Sequence, residues 1–322
     1  MALLDIRNLT VGFDGPAGRV DLVRNVNLQI RRGEILGLLG ESGSGKSLTA
    51  MAVLGLLPSR MKISGEILFQ GTDLLGLSEA KLCKWRGNKL AMVFQEPLTA
   101  LNPAHTIGRQ VAEPLRLHKR LSRRQAHAAA VDLLARVGLP RPAERAGDFP
   151  HQLSGGQRQR VVIAIALACD PSLIIADEPT TALDTLVQRQ IIELLVRLVE
   201  DMDAAMVLIT HDVGLLAETA DRVRVMYSGS IVESGPYDRV FEGPAHPYTR
   251  MLLQALPQGA AGTGAPLRPI PGRVPPPDCR PTGCSFRDRC PQAQADCERT
   301  PVPVELEPGH EAACLLLPQV VR

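Results

Sequence analysis

Alternating apolar and polar positions near the N-terminus predict two β-strands, LLDIRNLTVGF and VRNVNLQI. The apolar run GEILGLLG that comes next predicts a short buried strand that ends in glycine, and KSLTAMAVLGLL then predicts a helix. A strand, a glycine-rich turn and a helix in succession are typical of the first unit of an α/β nucleotide-binding fold.

Further along the chain, helical and strand patterns alternate. The stretch 121–137 and the amphipathic sequence QRQRVVIAIALA predict helices, and SLIIAD and AAMVLITH predict buried strands separated by the helix LVQRQIIELLVRLVEDM. RVRVMYSGSIVESG predicts a hairpin that turns at Ser228 and Gly229. After Leu256, PQGAAGTGAPLRPIPGRVPPPD is too rich in proline and glycine for regular structure, and it predicts a linker or an extended lobe.

Composition and charge narrow the class of protein. The chain has 322 residues, 45% of them hydrophobic, which suffices for one large domain with an appendix or for two domains. A formal net charge of +2 without a basic block disfavours nucleic-acid binding. Asp5 and Arg7 interrupt the N-terminal apolar stretch, which disfavours a signal peptide, and no apolar run is long enough to span a bilayer. We therefore expect a soluble intracellular protein, whose seven cysteines are thiols or metal ligands.

The sequence GESGSGKS fits the pattern G-x-x-x-x-G-K-[ST] between a predicted strand and a predicted helix. Glycines there let backbone N–H groups surround phosphates, and the helix N-terminus adds a favourable dipole. Lys46 would neutralise the outer phosphates, and the Ser47 hydroxyl would ligate Mg²⁺. The residues predicted to bind ATP in this phosphate loop are Gly40, Glu41, Ser42, Gly43, Ser44, Gly45, Lys46 and Ser47.

Two further motifs carry chemistry. Asp177 and Glu178 end the predicted strand SLIIAD; the first would hold Mg²⁺, and the second would orient the water that attacks the γ-phosphate. The sequence LSGGQ predicts a second phosphate-binding loop at a helix N-terminus, with a serine hydroxyl as donor and glycines that allow close approach. Its residues are Leu153, Ser154, Gly155, Gly156 and Gln157. Only one loop carries a lysine, so the motif alone leaves open which phosphate the second loop binds.

Three more short motifs accompany these: VFQEP, TTALD at 180–184, and THD. In their order along the chain, all of these motifs resemble those of the ATP-binding subunits of ABC transporters, and the resemblance covers residues 1–235. The resemblance implies an α/β P-loop NTPase core with an antiparallel β subdomain, a helical signature subdomain at about 96–158 and a small C-terminal extension, 236–322. It also implies a dimer, in which the signature loop of one subunit faces the phosphate loop of the other and two ATP molecules, with Mg²⁺, lie between them.

Individual roles follow from the resemblance. Phe13 would stack on adenine, although a strand residue in the core is the alternative. Gln95 would reach Mg²⁺ and the attacking water, Asp184 would cross the dimer interface, and His211 would contact the γ-phosphate. Glu178, His211 and Gln95 form the implied catalytic set, and Ser47, Gln95 and Asp177 the implied Mg²⁺ set.

The last third of the chain resembles one branch of this family. HPYTRMLLQALP, IPGRVPPP, GCSFRDRC and TALNP are similar to sequences of oligopeptide and dipeptide importer ATPases, a branch that includes nickel importers. The resemblance implies a second ATPase subunit, related or identical, two membrane permeases, an extracytoplasmic solute-binding protein, no nucleic acid, and a peripheral place on the cytoplasmic face of the inner or plasma membrane. Import of nickel or another small solute is an alternative. A non-transport ABC ATPase and an iron–sulfur redox protein that binds ATP are less favoured.

Cysteines concentrate beyond the Pro/Gly-rich linker, 257–278, in the segment 279–314. Thiolates at such spacing can hold an iron–sulfur cluster or zinc. The branch resemblance implies Cys284, Cys290, Cys297 and Cys314 as ligands, and it leaves Cys279 as a spare thiol or a competing fourth ligand. A 4Fe–4S cluster is the favoured interpretation, with zinc and free cysteines as alternatives. Cys83 and Cys169 are predicted to be buried apolar residues.

Overall fold

The computed structural model of the protein describes residues 2–16, 18–180, 184–255 and 269–317. These residues form two compact units. The phosphate-loop unit contains Ala2–Ile30, Ile35–Leu75 and the described residues from Thr210 onward. The helical unit contains Arg31–Glu34 and Gly76–Ile209.

The strands in the described residues follow most of the predicted apolar runs and add several short ones. They are β1 (Leu4–Gly15), β2 (Gly18–Ile30), β3 (Ile35–Leu39), β4 (Lys62–Phe69), β5 (Thr72–Asp73), β6 (Leu90–Val93), β7 (Leu173–Asp177), β8 (Ala205–Ile209), β9 (Arg222–Tyr227), β10 (Ser230–Pro236), β11 (Val304–Glu307) and β12 (His310–Ala312).

The α-helices in the described residues are α1 (Lys46–Val53), α2 (Glu79–Trp85), α3 (Pro97–Ala100), α4 (Ile107–His118), α5 (Arg123–Arg136), α6 (Pro142–Arg145), α7 (Gly155–Leu167), α8 (Thr185–Asp201), α9 (Val213–Thr219), α10 (Tyr237–Glu242) and α11 (Pro247–Gln254). No helix among the described residues is both long enough and apolar enough to cross a membrane.

The phosphate-loop unit contains the predicted antiparallel β subdomain. Four strands pair in the order β2-β1-β4-β5, all antiparallel. Alternate positions of β1 and β2 point into an apolar layer, where Leu9, Val11, Val26 and Ile30 are fully buried. The alternation read from the sequence therefore reflects a sheet with one buried face.

A second set of strands in the same unit has the order β11-β12-β10-β9-β3. β3 and β9 are parallel, whereas β9 and β10 form the antiparallel hairpin predicted around Ser228 and Gly229. The C-terminal strand β12 pairs with β10, opposite Glu233 and Ser234. The extension is therefore hydrogen-bonded into the sheet that carries the phosphate loop.

A buried carboxylate fixes the extension further. Glu233, 1% exposed, accepts hydrogen bonds from the backbone N–H groups of Ala245 and His246 at 2.8 and 2.9 Å. The His310 ring lies 2.9 Å from the same carboxylate. Because a buried charge needs several polar partners, these contacts tie the start of α11 and the β11–β12 hairpin to β10.

The helical unit is built on three parallel strands in the order β8-β7-β6. All five residues of β7 and of β8 are buried, which explains their continuous apolar runs. Helices α4, α5 and α7 contact one another in this unit, and α5 begins at Ser122 with a complete capping box.

The structure differs from several of the predictions made from the sequence. α1 ends at Val53, before Gly55 with φ 62°, and is shorter than predicted. α7 is mostly buried, including Gln159, so it lacks the single apolar face that was expected. Cys169 is fully buried as predicted, but the prediction for Cys83 is wrong, because its side chain is exposed on the short helix α2. The first part of the predicted linker, residues 257–268, lies outside the described residues.

Candidate functional site

The phosphate loop, residues 40–47, joins β3 to α1 in the phosphate-loop unit. Gly40 has φ 156°, and a Cβ at this position would lie 2.1 Å from the Met226 carbonyl oxygen of the neighbouring strand. Only glycine therefore fits where the loop leaves β3. Gly45, with φ 105°, caps α1, and the Ser44 carbonyl accepts a hydrogen bond from Gly229 N–H at 2.9 Å.

Lys46 places its ammonium inside this loop. Lys46 is 6% exposed, and its Nζ donates to the carbonyl oxygens of Gly40 at 2.8 Å and Glu41 at 3.0 Å. Ser47 follows in the first turn of α1. A buried ammonium beside a helix N-terminus is an arrangement that can bind an anion such as phosphate.

Glu41 is held by residues that sequence reasoning left without a role. Its backbone N–H donates to the Tyr248 hydroxyl at 2.9 Å. Its carboxylate accepts a two-pronged contact from Arg289, whose Nη1 and Nη2 lie 2.8 and 3.1 Å from the two oxygens. Tyr248 and Arg289 belong to the stretches HPYTR and GCSFRDRC, but no local signal shows that these stretches return to a loop more than two hundred residues earlier.

An aromatic cluster supports this contact. The rings of Tyr227, Tyr248 and Phe286 lie 4.6 to 5.3 Å apart, and the Arg289 guanidinium is 5.7 Å from the Tyr227 ring. Burial raises the pKa of the Tyr248 hydroxyl, and the nearby Glu41 charge adds to the effect. Burial also lowers the pKa of His246 to about 4. His246 is therefore neutral at pH 7, and its Nδ1 accepts the Tyr248 N–H at 3.0 Å.

A second arginine joins the extension to the turn beside the phosphate loop. Arg280 donates to Ser228 Oγ at 2.9 Å and to the carbonyl oxygens of Leu22 and Asp21. Burial, reinforced by the nearby Arg24 charge, lowers the pKa of Arg280 to about 10, so it stays charged near neutral pH. The hairpin turn that contacts Ser44 is thus held from its other side.

The cysteine lobe, residues 279–314, lies in the same unit. Burial raises the pKa of the Cys284 thiol, and electrostatic interactions with Cys297, Cys314 and Cys290 add to the rise. Burial likewise raises the pKa of Cys290 and of Cys314. Cys279 is exposed. Among the described residues, no group of three or more His, Cys, Asp or Glu side chains is arranged to hold a metal ion.

Backbone geometry brings two parts of the cysteine lobe together. Gly283 has φ 77°, and a Cβ there would lie within 2.5 Å of backbone atoms of Cys297 and Glu298. The Cys284 N–H donates to the Cys297 carbonyl at 3.0 Å. Only glycine at position 283 therefore allows the chain segments that carry these two thiols to touch.

In the helical unit, the structure brings Gln95 and Glu178 together. The Gln95 amide donates to Glu178 Oε2 at 3.1 Å. Glu178 has φ 45°, which is rare for a residue with a side chain, and its N–H donates to the Ile209 carbonyl at 2.9 Å. Asp177, one residue earlier, is 6% exposed at the end of β7. A carboxylate held in a strained backbone conformation is common at functional sites.

The LSGGQ motif forms the N-terminus of α7. Ser154 is the N-cap: its Oγ accepts from Gln157 N–H at 3.4 Å, while the Ser154 N–H donates to Gln157 Oε1 at 3.1 Å. Leu153 is buried, and Gly155 and Gly156 form the first turn. The motif therefore combines a capped helix start with a serine hydroxyl, whose hydrogen can be donated outward.

Three further residues predicted to belong to the site lie outside the phosphate loop, the signature motif and the pair Gln95 and Glu178. Phe13 lies in β1 opposite Val20 and is half-buried. Asp184 is the exposed N-cap of α8, and its carboxylate accepts from Val187 N–H at 3.0 Å. His211 is exposed, one residue before the N-cap of α9. Of the TTALD motif, residues 181–183 lie outside the described residues.

Comparison with protein families assigns both parts of the chain. The family model described as ABC transporter matches residues 23–181. The model described as oligopeptide/dipeptide transporter, C-terminal region, matches residues 232–297, which include the HPYTR stretch and most of the cysteine lobe.

Similar proteins match along nearly the whole chain. A probable peptide ABC transporter ATP-binding protein of Sinorhizobium fredii is 47% identical over 99% of this chain and 96% of its own. The probable D,D-dipeptide transport ATP-binding protein DdpD of Escherichia coli is 47% identical, with 98% and 97% covered.

A solved structure is also similar. The dimeric ATP-binding cassette MJ0796, bound to ADP and Pi, is 31% identical with a TM-score of 0.65, covering 73% of this chain and 98% of that one. The expected fold, an α/β ABC cassette with an antiparallel β subdomain, is confirmed. On these grounds the chain belongs to the ATP-binding subunits of ABC transporters, enzymes that hydrolyse ATP, and carries the C-terminal region of the oligopeptide/dipeptide branch.

Proposed function

We propose that this chain is the ATP-hydrolysing motor subunit of an importer for dipeptides or oligopeptides. The observation that carries the proposal is the C-terminal region of the peptide branch, bonded through Arg289 and Tyr248 to the loop that holds Lys46. Relatives named for peptide or D,D-dipeptide transport match this chain along nearly their whole length, this region included. The ATPase domain is proposed to end near residue 235, close to the start of the second family match.

Residue roles follow from the chemistry of each group. The loop 40–47 binds the ATP phosphates, with Lys46 as the cation, and Phe13 stacks on the adenine. Ser47, Asp177 and Gln95 hold Mg²⁺, Glu178 orients the attacking water, and His211 contacts the γ-phosphate. The Lys46 contacts, the hydrogen bond between Gln95 and Glu178 and the burial of Asp177 support these assignments.

The signature motif is proposed to act on the ATP held by a partner subunit. Ser154 at the start of α7 offers a hydroxyl and a helix N-terminus to that nucleotide, and Asp184 contributes to the interface. A solved relative is a dimer bound to ADP and Pi, which supports this arrangement. ATP binding would then close the dimer, and hydrolysis at Glu178 would reopen it.

Partners and location are part of the same proposal. We infer that the chain pairs with a related ATPase subunit, or with itself, on the cytoplasmic face of the membrane. There it drives two permeases supplied by an extracytoplasmic binding protein. Import of nickel or another small solute remains the alternative, because the solute meets the permeases and the binding protein rather than this chain.

The test is co-purification followed by transport. The tagged chain, purified from mild detergent, should bring down two integral membrane permeases. In proteoliposomes, its ATPase activity should rise when peptide-loaded binding protein is added. Stimulation by nickel but not by peptides would favour the alternative. Retrieval without any permease would contradict a role in transport.

We also propose that the cysteine lobe holds a 4Fe–4S cluster through Cys284, Cys290, Cys297 and Cys314. The close backbone approach of Cys284 and Cys297 supports a ligand set that contains these two residues, and the exposure of Cys279 argues against including it. Because burial raises the pKa of three of these thiols, they are protonated in the free lobe, and cluster binding would displace their protons. A bound cluster would supply a covalent cross-link within the lobe and a one-electron redox centre.

A further inference from the structure

The phosphate loop contains an acidic side chain where chemistry disfavours one. Glu41 is the second residue of the loop, and a free carboxylate there would repel the triphosphate that the loop is proposed to bind. A loop built this way needs a second positive charge at Glu41.

Arg289 supplies that charge from the cysteine lobe. Its two terminal nitrogens contact both Glu41 oxygens, and the side chain is only 6% exposed, against 27% for the glutamate. Such a fork-to-fork pair is stronger and more directional than a single ion contact, and partial burial reduces its screening by salt.

The guanidinium of Arg289 has further partners besides Glu41. Nε donates to the Pro271 carbonyl at 2.9 Å, and Nη1 also reaches the Tyr227 hydroxyl at 3.3 Å. The plane lies 5.7 and 5.9 Å from the centres of the Tyr227 and Phe286 rings. Lysine could not make this set of contacts, because it lacks the planar fork.

The cysteine lobe also determines where Arg289 stands. The residue ends a 3₁₀ turn, Arg287–Arg289, and its N–H donates to the Phe286 carbonyl at 3.0 Å. Cys290 follows directly, and the same turn begins at the Cys284 carbonyl, which accepts from Arg287 N–H at 3.1 Å. The position of the guanidinium therefore depends on the turn between two cysteines.

We propose that Arg289 is a positioning residue for ATP: it holds and neutralises the Glu41 carboxylate within the phosphate loop, so that the cysteine lobe sets the nucleotide affinity of this subunit. The inference rests on the proposed function only in that the loop binds ATP. It adds a role for the extension, which would otherwise be an appendix to the ATPase.

The test measures ATP affinity of the full-length chain by titration with a fluorescent ATP analogue and competition with ATP. R289M should weaken binding about tenfold, because it leaves an uncompensated carboxylate within the loop that binds the phosphates. R289K should be intermediate, because it keeps the charge but not the fork. R287M is the matched control: Arg287 lies on the same turn but pairs with Asp288 and Glu298, so its loss should leave affinity unchanged.

The decisive variant is the double mutant E41Q/R289M. Removing the carboxylate that Arg289 neutralises should restore binding to within about twofold of wild type, although the lobe contact is gone. A merely structural role of Arg289 predicts the opposite, since the double mutant would then bind as weakly as R289M.

The outcomes separate this inference from the proposed function. Wild-type affinity in R289M overturns the inference, as does a folded double mutant that stays weak. If R289M does not fold, R289K decides: an ATP affinity of R289K equal to that of wild type, with no gain of salt dependence, overturns the inference too. Failure of wild type to bind ATP better than K46A would instead overturn the proposed role of the phosphate loop, and this inference with it.

Discussion

At the scale of single residues, the contact between Gln95 and Glu178 leads to a prediction about catalysis. Glu178→Gln keeps the size of the side chain and an oxygen that can accept a hydrogen bond from the Gln95 amide, whose Nε2 lies 3.1 Å from Glu178 Oε2 in the wild-type chain. It loses the charge that orients water and accepts its proton, so hydrolysis should fall about 100-fold or more. ATP binding should persist, because the phosphate loop is untouched.

Single-turnover hydrolysis by the purified chain, with a trace of labelled ATP, measures this loss at one site. Size-exclusion chromatography with ATP should then show the variant accumulating as a closed dimer. Gln95→Glu is a useful companion, because it places a second carboxylate beside Glu178 and should also slow hydrolysis. Unchanged single-turnover hydrolysis in Glu178→Gln would remove this residue from the proposed catalytic set.

The spacing of a motif describes the surroundings of a residue whose contacts are local, but it does not reveal a contact such as that of Glu41 with Arg289. Lys46 and Gly40 act within a loop of eight residues, so the spacing of the motif already describes their environment. Glu41 has the same local context, yet its partner Arg289 lies 248 positions away. Nothing in the residues around either one encodes that contact, which depends on the path of the chain through α11 and the lobe.

At the scale of elements, the N-terminus of α7 both starts a helix and carries the residues proposed to contact the partner's ATP. Gly155→Asp introduces a carboxylate at the first helical position, where an acidic side chain is favourable for the helix itself. The helix should therefore form, capped by Ser154 as before, while the charge repels a phosphate that approaches its N-terminus. ATP binding to the isolated subunit should survive, whereas ATP-driven dimerisation should fail.

Nucleotide titration and ATP-dependent size-exclusion chromatography of the same preparation distinguish these two effects. Gly155→Ala provides the matched control, because it adds a Cβ without the charge. A Gly155→Asp variant that no longer binds ATP as a monomer would contradict the division of roles between the phosphate loop and the signature loop.

Element identity was easier to predict than element ends. β8 and the first four residues of β7 are apolar because both faces of these strands are buried, and these apolar runs are visible in the sequence. The boundary of α1 depends on Gly55, and α7 starts at the signature glycines, two residues earlier than the apolar pattern alone indicates. Cys83 was misassigned because a helical pattern does not reveal which face of a short helix meets solvent.

At the scale of the whole molecule, the phosphate-loop unit is assembled from distant parts of the chain. Residues 2–30 and 35–75 supply β1 to β5 and the loop, and the described residues from Thr210 onward supply the strands and arginines that hold it. The sequence indicated an extension with a cysteine cluster, but not that β12 pairs with β10 or that the lobe contacts the loop. The strand pairing and the contact between lobe and loop both depend on tertiary packing between distant segments. The local sequence pattern of each segment gives no sign of the other.

The cysteine lobe gives the last prediction, which joins the cluster proposal to the role of Arg289. The segment has little apolar sequence of its own, so metal–thiolate bonds would supply what its small core lacks. Protein purified without oxygen should be brown and contain about four irons per chain. Cys290→Ser should bleach the protein and expose the lobe to protease. Cys279→Ser should stay brown, because Cys279 is exposed and is not one of the four proposed ligands.

Loss of the cluster should also weaken ATP binding. If Cys290→Ser loosens the turn that carries Arg289, ATP affinity should fall as far as in R289M, and the added substitution Glu41→Gln should restore it. Iron content, protease susceptibility and ATP affinity are measured on the same samples, so each link is checked separately. Anaerobic protein without iron would refute the cluster. Bleaching in Cys279→Ser but not in Cys314→Ser would exchange the fourth ligand. A bleached, loosened variant with wild-type affinity would separate the lobe from the phosphate loop, because Arg289 would then hold Glu41 without the order that the thiolates impose on its turn.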